Sequence, residues 1–272
     1  MKNDILVKFE NVSKQFTLDD GPVEVLKGVN FTIQRGSFTI IYGPSGSGKS
    51  TLLNVLTGLE PPTSGSVVVD GKHLYTMNAD ERAGFRARTM GLVSQTNYWI
   101  NSLSALENVA LPLYLTGRSY QESIGEAKAS IHRVGLEKYS NYRPNLLSGG
   151  QQQRISMARA SIISPTLLVA DEPTGNLDSK SGDMIMELVR SFKTDFGTTI
   201  VLVTHNIDYL PLSDYRLYIK DGVVTEEEGV YKGPQKPKDD DVMDKARTPR
   251  PVLDFDPAQP SKTQFLAKGE AS

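Results

Sequence analysis

Residues 43–51 read Gly-Pro-Ser-Gly-Ser-Gly-Lys-Ser-Thr. The stretch fits G-x-x-x-x-G-K-[ST], a loop whose backbone wraps a polyphosphate. Gly43, Gly46 and Gly48 lack Cβ atoms, so the chain can turn tightly and approach phosphate oxygens. Pro44, Ser45 and Ser47 complete the cradle, and Thr51 leads into the next element. The N–H groups of such a turn form an anion-binding nest, and the following helix adds the positive end of its dipole. Lys49 is expected to reach the β- and γ-phosphates, and Ser50 to offer its hydroxyl to Mg²⁺. The flanks agree, because residues 37–42 read as a buried strand and residues 51–59 as a leucine-burying helix. A plain Gly/Ser turn would not need lysine and then a hydroxyl at those places. The loop therefore implies a nucleotide, with ATP and Mg²⁺ as the expected ligands.

Composition sets the frame around this loop. The chain has 272 residues, 38% hydrophobic, enough for one large domain or two small ones. A net charge of -2 argues against a nucleic-acid surface made by bulk charge. There is no cysteine, hence no disulfide framework, thiolate zinc site or thiol nucleophile. The first apolar run carries charges and does not read as a signal peptide. No apolar run approaches the roughly 20 residues of a membrane span. The expected protein is soluble, or peripheral to a membrane through a partner.

Upstream of the loop the sequence is β-rich. Residues 4–10 alternate as a strand with Ile5, Val7 and Phe9 on one side, and residues 12–16 read as its candidate continuation. Residues 19–22 form a turn, residues 23–26 and 29–33 read as two short strands, and Arg35-Gly36 turns into the strand before the loop. Downstream, residues 66–70 read as a strand ending in an Asp70-Gly71 hairpin turn, residues 78–88 as a helix, and residues 91–94 as a strand before Gln95. Residues 96–148 are helical in pattern, at 103–115 and 119–134, and helix resumes over 151–163. From Leu167 strands alternate with helices again, which implies a mainly parallel sheet covered on both faces. Residues 231–272 hold six of the fifteen prolines and few apolar residues, and read as a disordered tail. Residues 252–255 or 264–266 are candidate short docking motifs within it.

Two further stretches carry chemistry. Residues 167–172, Leu-Leu-Val-Ala-Asp-Glu, are an apolar strand ending in two carboxylates. Asp171 is placed to hold Mg²⁺, and Glu172 to polarise an attacking water as general base. Residues 147–151, Leu-Ser-Gly-Gly-Gln, make a second glycine-rich helix N-terminus. One loop already cradles the phosphates, so a second nest calls for a second ligand or a second subunit.

This Leu-Ser-Gly-Gly-Gln, followed by Gln152, Gln153 and Arg154, resembles the signature of ATP-binding-cassette (ABC) ATPases, and the likeness extends over residues 4–228. The resemblance implies a P-loop NTPase with a RecA-like, mainly parallel α/β core, an antiparallel β subdomain and a helical signature subdomain inserted at about 96–163. It places Phe16 as the aromatic that stacks on adenine, and Gln95 as the glutamine that touches Mg²⁺ and senses a permease. It places Asp178, in Asn176-Leu177-Asp178, at a dimer interface, and His205 as the histidine that contacts the γ-phosphate. His73 and His132 fall outside these motifs and read as surface residues.

The family resemblance also implies a mechanism. Two cassettes pack head to tail, each ATP lies between the phosphate loop of one and the signature of the other, and Ser148, Gly149, Gly150 and Gln151 act in trans. Residues 62–65, 104–113 and 173–178 resemble the branch serving lipoprotein release, macrolide export and cell division. Two stretches depart from that branch. Residues 96–100, Thr-Asn-Tyr-Trp-Ile, replace a phenylalanine-rich run, and Gln151 stands where glutamate is frequent. Tyr98 and Trp99 are either permease contacts or caps of the local core. The implied protein is an ATPase subunit at the cytoplasmic face of a membrane, paired with a second cassette and a separate permease, with no nucleic-acid partner. A soluble ATPase acting on nucleic acid or ribosomes is the alternative, and a regulatory cassette without turnover is a third.

Overall fold

The computed structural model describes residues 4–19 and 21–227. The proline-rich stretch 231–272, with its two candidate docking motifs, lies outside the described residues. The chain begins with β1 (Ile5–Leu18) and β2 (Gly21–Gln34), then β3 (Phe38–Tyr42), α1 (Lys49–Leu56), β4 (Ser64–Val69) and β5 (Lys72–His73). Next come α2 (Ala79–Thr89), β6 (Met90–Val93), α3 (Ala105–Leu115), α4 (Tyr120–Arg133) and α5 (Gly149–Ser161). The last elements are β7 (Leu167–Asp171), α6 (Ser179–Phe196), β8 (Thr199–Val203), β9 (Tyr215–Lys220) and β10 (Val223–Glu227).

These strands make two sheets. An antiparallel sheet runs β2-β1-β4-β5, and a second sheet runs β10-β9-β3-β8-β7-β6. In the second, every pairing from β9 to β6 is parallel, and only β10 is antiparallel. The parallel strands are near-continuous apolar runs because both of their faces are covered. One face shares a core with α1 and the antiparallel sheet, through residues such as Ile41, Leu52, Phe9 and Val203. The other is covered by α6 and part of α5, through Ile40, Leu168, Ile185 and Met157. A third core joins α3, α4 and the remaining face of α5. Helix α5 thus serves two cores: Met157 and Ala160 pack toward the sheet, Ile155 and Ala158 toward α3 and α4.

Several boundaries differ from the sequence expectation, each for a local reason. Ile5 is exposed, while Leu6 and Val7 are both buried. The pairing with β2 slips between Ile5 and Val7, so strict alternation fails there. The two short strands expected over 23–33 are one long strand, with irregular pairing and Gly28 at φ 58° absorbing the break. The phosphate-loop helix starts at Lys49 rather than Thr51, behind the left-handed Gly48. The signature helix starts at Gly149 rather than Gln151, because Ser148 and Gln151 form a capping box around its first turn.

Candidate nucleotide-binding site

Strand order gathers the site. β3, β8, β7 and β6 are consecutive neighbours and parallel, so their C-terminal ends lie side by side. These ends deliver, in that order, the loop 43–48, His205, Asp171-Glu172 and Gln95. In open α/β sheets that edge is where ligands bind.

The loop after β3 needs its glycines for two separate reasons. Gly43, Gly46 and Gly48 have φ of 154°, 77° and 102°. At Gly43 a Cβ would also stand 2.0 Å from the Ile219 carbonyl oxygen of β9. At Gly48 it would stand 3.0 Å from the Val25 carbonyl oxygen of β2. The loop is thereby wedged between the sheets, and the Gly222 N–H donates to the Ser47 carbonyl at 3.2 Å. Ser45 and Gly46 sit exposed at its tip. Lys49 Nζ donates to the carbonyls of Gly43 (3.0 Å) and Pro44 (2.8 Å), so the ammonium folds back over the loop.

Ser50 meets the end of β7: its Oγ donates to Asp171 Oδ2 at 3.3 Å. Burial raises the Asp171 carboxyl above its ordinary range, with adjacent Glu172 acting the same way and Ser50 and Lys49 opposing. Glu172 itself adopts φ 47°, unusual for a non-glycine residue. Its N–H donates to the Val203 carbonyl at 2.9 Å, which anchors the turn to β8. Its Oε2 lies 2.8 Å from His205 Nδ1, at ion-pair distance rather than in hydrogen-bond alignment. The Glu172 side chain is 14% exposed and that of His205 67%.

The other residues singled out in the sequence stand around this centre. Gln95 is exposed, and a Cβ on Gly175 would lie 3.6 Å from its amide nitrogen. Phe16 is half-buried and pairs with Val23 across the β1–β2 hairpin, two residues from Val25, which touches the loop at Gly48. The Lys14 ammonium sits 4.8 Å from the Phe16 ring centroid. Asp178 is the N-cap of α6: its Oδ1 accepts from the Ser181 N–H at 3.0 Å, and its Oδ2 from the Ser181 hydroxyl at 2.7 Å. Those bonds hold its carboxyl below the usual range. Ser148 caps α5, and its own N–H donates to Gln151 Oε1 at 2.9 Å. Glutamine at position 151 therefore keeps the capping box without a charge. A Cβ at Gly149 would meet Leu177 at 3.6 Å, and one at Gly150 the Ser181 hydroxyl at 3.4 Å, so the signature turn lies against the 176–181 segment. No hydrogen bond among the described residues joins residues 148–151 to the loop 43–50. The chain brings Ser50, Asp171, Glu172 and His205 together, and holds its signature elsewhere.

Two features sharpen the sequence expectation. Trp99 is half-buried against the helical core and donates through its indole N–H to Gln152 Oε1 at 3.0 Å, whereas Tyr98 is 76% exposed. The two neighbours therefore divide the core-capping and surface roles between them. Asp178 also caps α6, a role for which an acidic residue before a helix is the ordinary signal. His73 and His132 are exposed as expected, and His132 pairs with Glu137.

Residues 26–175 match the family model described as ABC transporter. The chain belongs to the ABC transporter family. It is an ABC ATPase, an ATP-binding and ATP-hydrolysing subunit of a membrane transporter. This cassette is 40% identical over 223 residues to the lipoprotein-releasing system ATP-binding protein LolD of Shewanella denitrificans, covering 82% of this chain and 96% of that one. It is also 40% identical over 227 residues to an uncharacterized ABC transporter ATP-binding protein, MJ0796, of Methanocaldococcus jannaschii, covering 82% and 97%. Among solved structures, the cassette resembles dimeric MJ0796 in a post-hydrolysis state bound to ADP and phosphate, at 40% identity. That likeness has a TM-score of 0.78 and covers 82% of this chain and 98% of that one. A cassette of Clostridium perfringens that is part of an ABC transporter complex is similar with a TM-score of 0.73 and 30% identity, over 83% and 89%.

Proposed function

We propose that this cassette closes with a second cassette around ATP, so that each nucleotide lies between residues 43–51 of one subunit and residues 148–151 of the other. The observation that carries this reading is the separation within one chain: Ser50, Asp171, Glu172 and His205 are gathered, while the signature helix N-terminus stands apart. The dimeric MJ0796 structure supports it. Lys49 exchanges its contacts with the Gly43 and Pro44 carbonyls for the β- and γ-phosphate oxygens. Phe16 offers one ring face to the base, with Lys14 against the ring. Gln95 and Asp178 line the approach between the subunits, and residues 96–163 with the signature turn move toward the partner.

The donors also fit Mg²⁺. A serine hydroxyl and an aspartate oxygen 3.3 Å apart are hard oxygen ligands, and no cluster of three or more metal-ligating side chains occurs among the described residues. That suits an ion held by one or two protein oxygens plus phosphates and waters. Ser50 and Asp171 would hold it, with Gln95 as a further oxygen donor. Bound there, Mg²⁺ would supply neutralisation of the phosphate charge. Glu172 Oε2, buried and without a hydrogen-bond partner, accepts the proton of the attacking water. His205, 2.8 Å away, orients that carboxylate and reaches the γ-phosphate. Ser148 and the N–H groups of Gly149 and Gly150 close the far side in trans.

No helix of the described residues is long and apolar enough to cross a membrane. The names of its relatives support a cassette that works on the cytoplasmic face through a separate permease. The name of the LolD relative favours lipoprotein release or a related mechanical task, and favours a membrane partner over nucleic acid. Glu172→Gln tests the core of this reading. It is expected to remove nearly all ATP hydrolysis while ATP-bound dimers accumulate on size-exclusion chromatography; a variant that stays monomeric with ATP, or that hydrolyses at the parent rate, contradicts it.

A further inference from the structure

The segment 96–100 pays three costs within a few residues. Arg159 of α5 lies beneath it, and no carboxylate pairs with that guanidinium among the described residues. Burial pushes Arg159 down to about 10, still charged at neutral pH. Tyr98 adopts φ 41°, in the left-handed region that side chains disfavour. Asn97 Oδ1 is buried without a hydrogen-bond partner. Costs of this kind persist where the surroundings over-determine a conformation, and they cluster at functional segments.

What the costs secure is a set of ties between two parts of the nucleotide machinery. Arg159 donates to the carbonyls of Asn97 (2.6 Å) and Tyr98 (3.3 Å), and its guanidinium lies 4.4 Å from the Trp99 ring centroid. The Trp99 indole N–H donates to Gln152 Oε1 at 3.0 Å, and Gln152 Nε2 donates to the Leu147 carbonyl at 3.0 Å. Both ends of the Gln152 amide are thus used, and its orientation is fixed. The loop begins directly after Gln95, and Leu147 directly precedes Ser148. One indole and one amide therefore bridge the loop after Gln95 to the turn that carries Ser148, Gly149 and Gly150.

We propose that Trp99, Gln152 and Arg159 are positioning residues that make the place of the signature turn depend on the loop that follows Gln95. All three act through protein contacts. Arg159 and the ring fix the loop to α5, and the indole N–H passes that position through Gln152 to the Leu147 carbonyl. This rests on the reading that residues 148–151 act on ATP in trans. The relay matters only when the subunits close, so breaking it lowers kcat and leaves ATP binding to the single subunit intact.

Two variants cut different links. Trp99→Phe keeps a ring over Arg159 and loses the N–H. Gln152→Glu keeps an acceptor for the indole and loses the donor to Leu147. Each is expected to lower kcat roughly ten-fold, with the ATP dissociation constant of the monomer within about two-fold of the parent. Trp99 is the chain's only tryptophan, so its emission reports the relay directly. In the Glu172→Gln protein, emission is expected to change with ATP at the concentrations that drive dimerisation, and Gln152→Glu in that background to reduce the change at least two-fold. Unchanged kcat in both variants overturns the relay, as does emission indifferent to ATP while dimers form. If Glu172→Gln protein binds ATP and never dimerises, the trans-acting site fails instead, and the kcat values of the two variants still decide the relay.

Discussion

Replacing Gly43 by alanine tests whether the phosphate loop is shaped by its seat between the sheets. The new Cβ would lie 2.0 Å from the Ile219 carbonyl oxygen, and 3.1 Å from its carbon. An ordinary carbon–oxygen approach is about 3.3 Å, so roughly 1.3 Å must be found. The oxygen cannot yield cheaply, because Ile219 is fully buried and β9 is paired on both sides, to β3 and β10. Overpacking of this kind costs about 1–3 kcal/mol, and a side chain at a positive φ a further 1–3 kcal/mol. The expected loss is therefore about 2–6 kcal/mol, a large part of a typical total of about 5–15 kcal/mol. Gly46→Ala is the internal control: φ is 77° there, and nothing lies within 4 Å of the added Cβ. It should cost only the backbone term, about 1–2 kcal/mol. Urea unfolding without nucleotide measures both. Equal losses, or a greater loss at Gly46, would refute the packing argument.

Two further substitutions separate structural from catalytic work. Asp178→Ala should lower the urea midpoint through the lost cap of α6, and Asp178→Ser should restore most of it. If Asp178 also works at the subunit interface, ATPase activity stays low in the serine variant; full recovery would make Asp178 a cap alone. At Asp171, burial raises the folded-state carboxyl above its unfolded value, so the ionised form burdens the fold. That burden is full above the raised folded-state value and absent below the unfolded one. Asp171→Asn should therefore melt higher than the parent at pH 7.5, with the gap narrowing as pH falls through the carboxylate range, while ATPase activity is lost. A lower melting point at pH 7.5 would contradict the assignment of burial as the leading cause.

Much of this was legible in the residues. The glycine-rich turn that opens at Gly43, the acidic end of β7 and the alternation of strands and helices after Leu167 all rest on local chemistry, and each lies where expected. The glycines announced a backbone constraint, but not that Gly43 answers to Ile219, more than 170 residues away, because only strand pairing joins them. Ile5 escaped because a register slip is set by the partner strand rather than by the residues that slip. The two-residue shift at the start of α5 does have a local signal, since Ser148-x-x-Gln151 is a capping box. The roles of Tyr98 and Trp99 could not be divided in advance. Adjacent aromatics look alike in sequence, and the division follows from the indole's reach to Gln152 on a distant helix.

Ser148→Arg in the Glu172→Gln background separates a site shared between two subunits from one complete within a single chain. The measurement pairs equilibrium ATP binding with sedimentation in the presence of ATP. ATP affinity is expected within about two-fold of the Glu172→Gln parent with no ATP-driven dimer, because arginine at the capping position fills the space the partner's γ-phosphate needs. Dimers that still form, or ATP binding lost by the isolated subunit, would place residues 148–151 outside a trans-acting site.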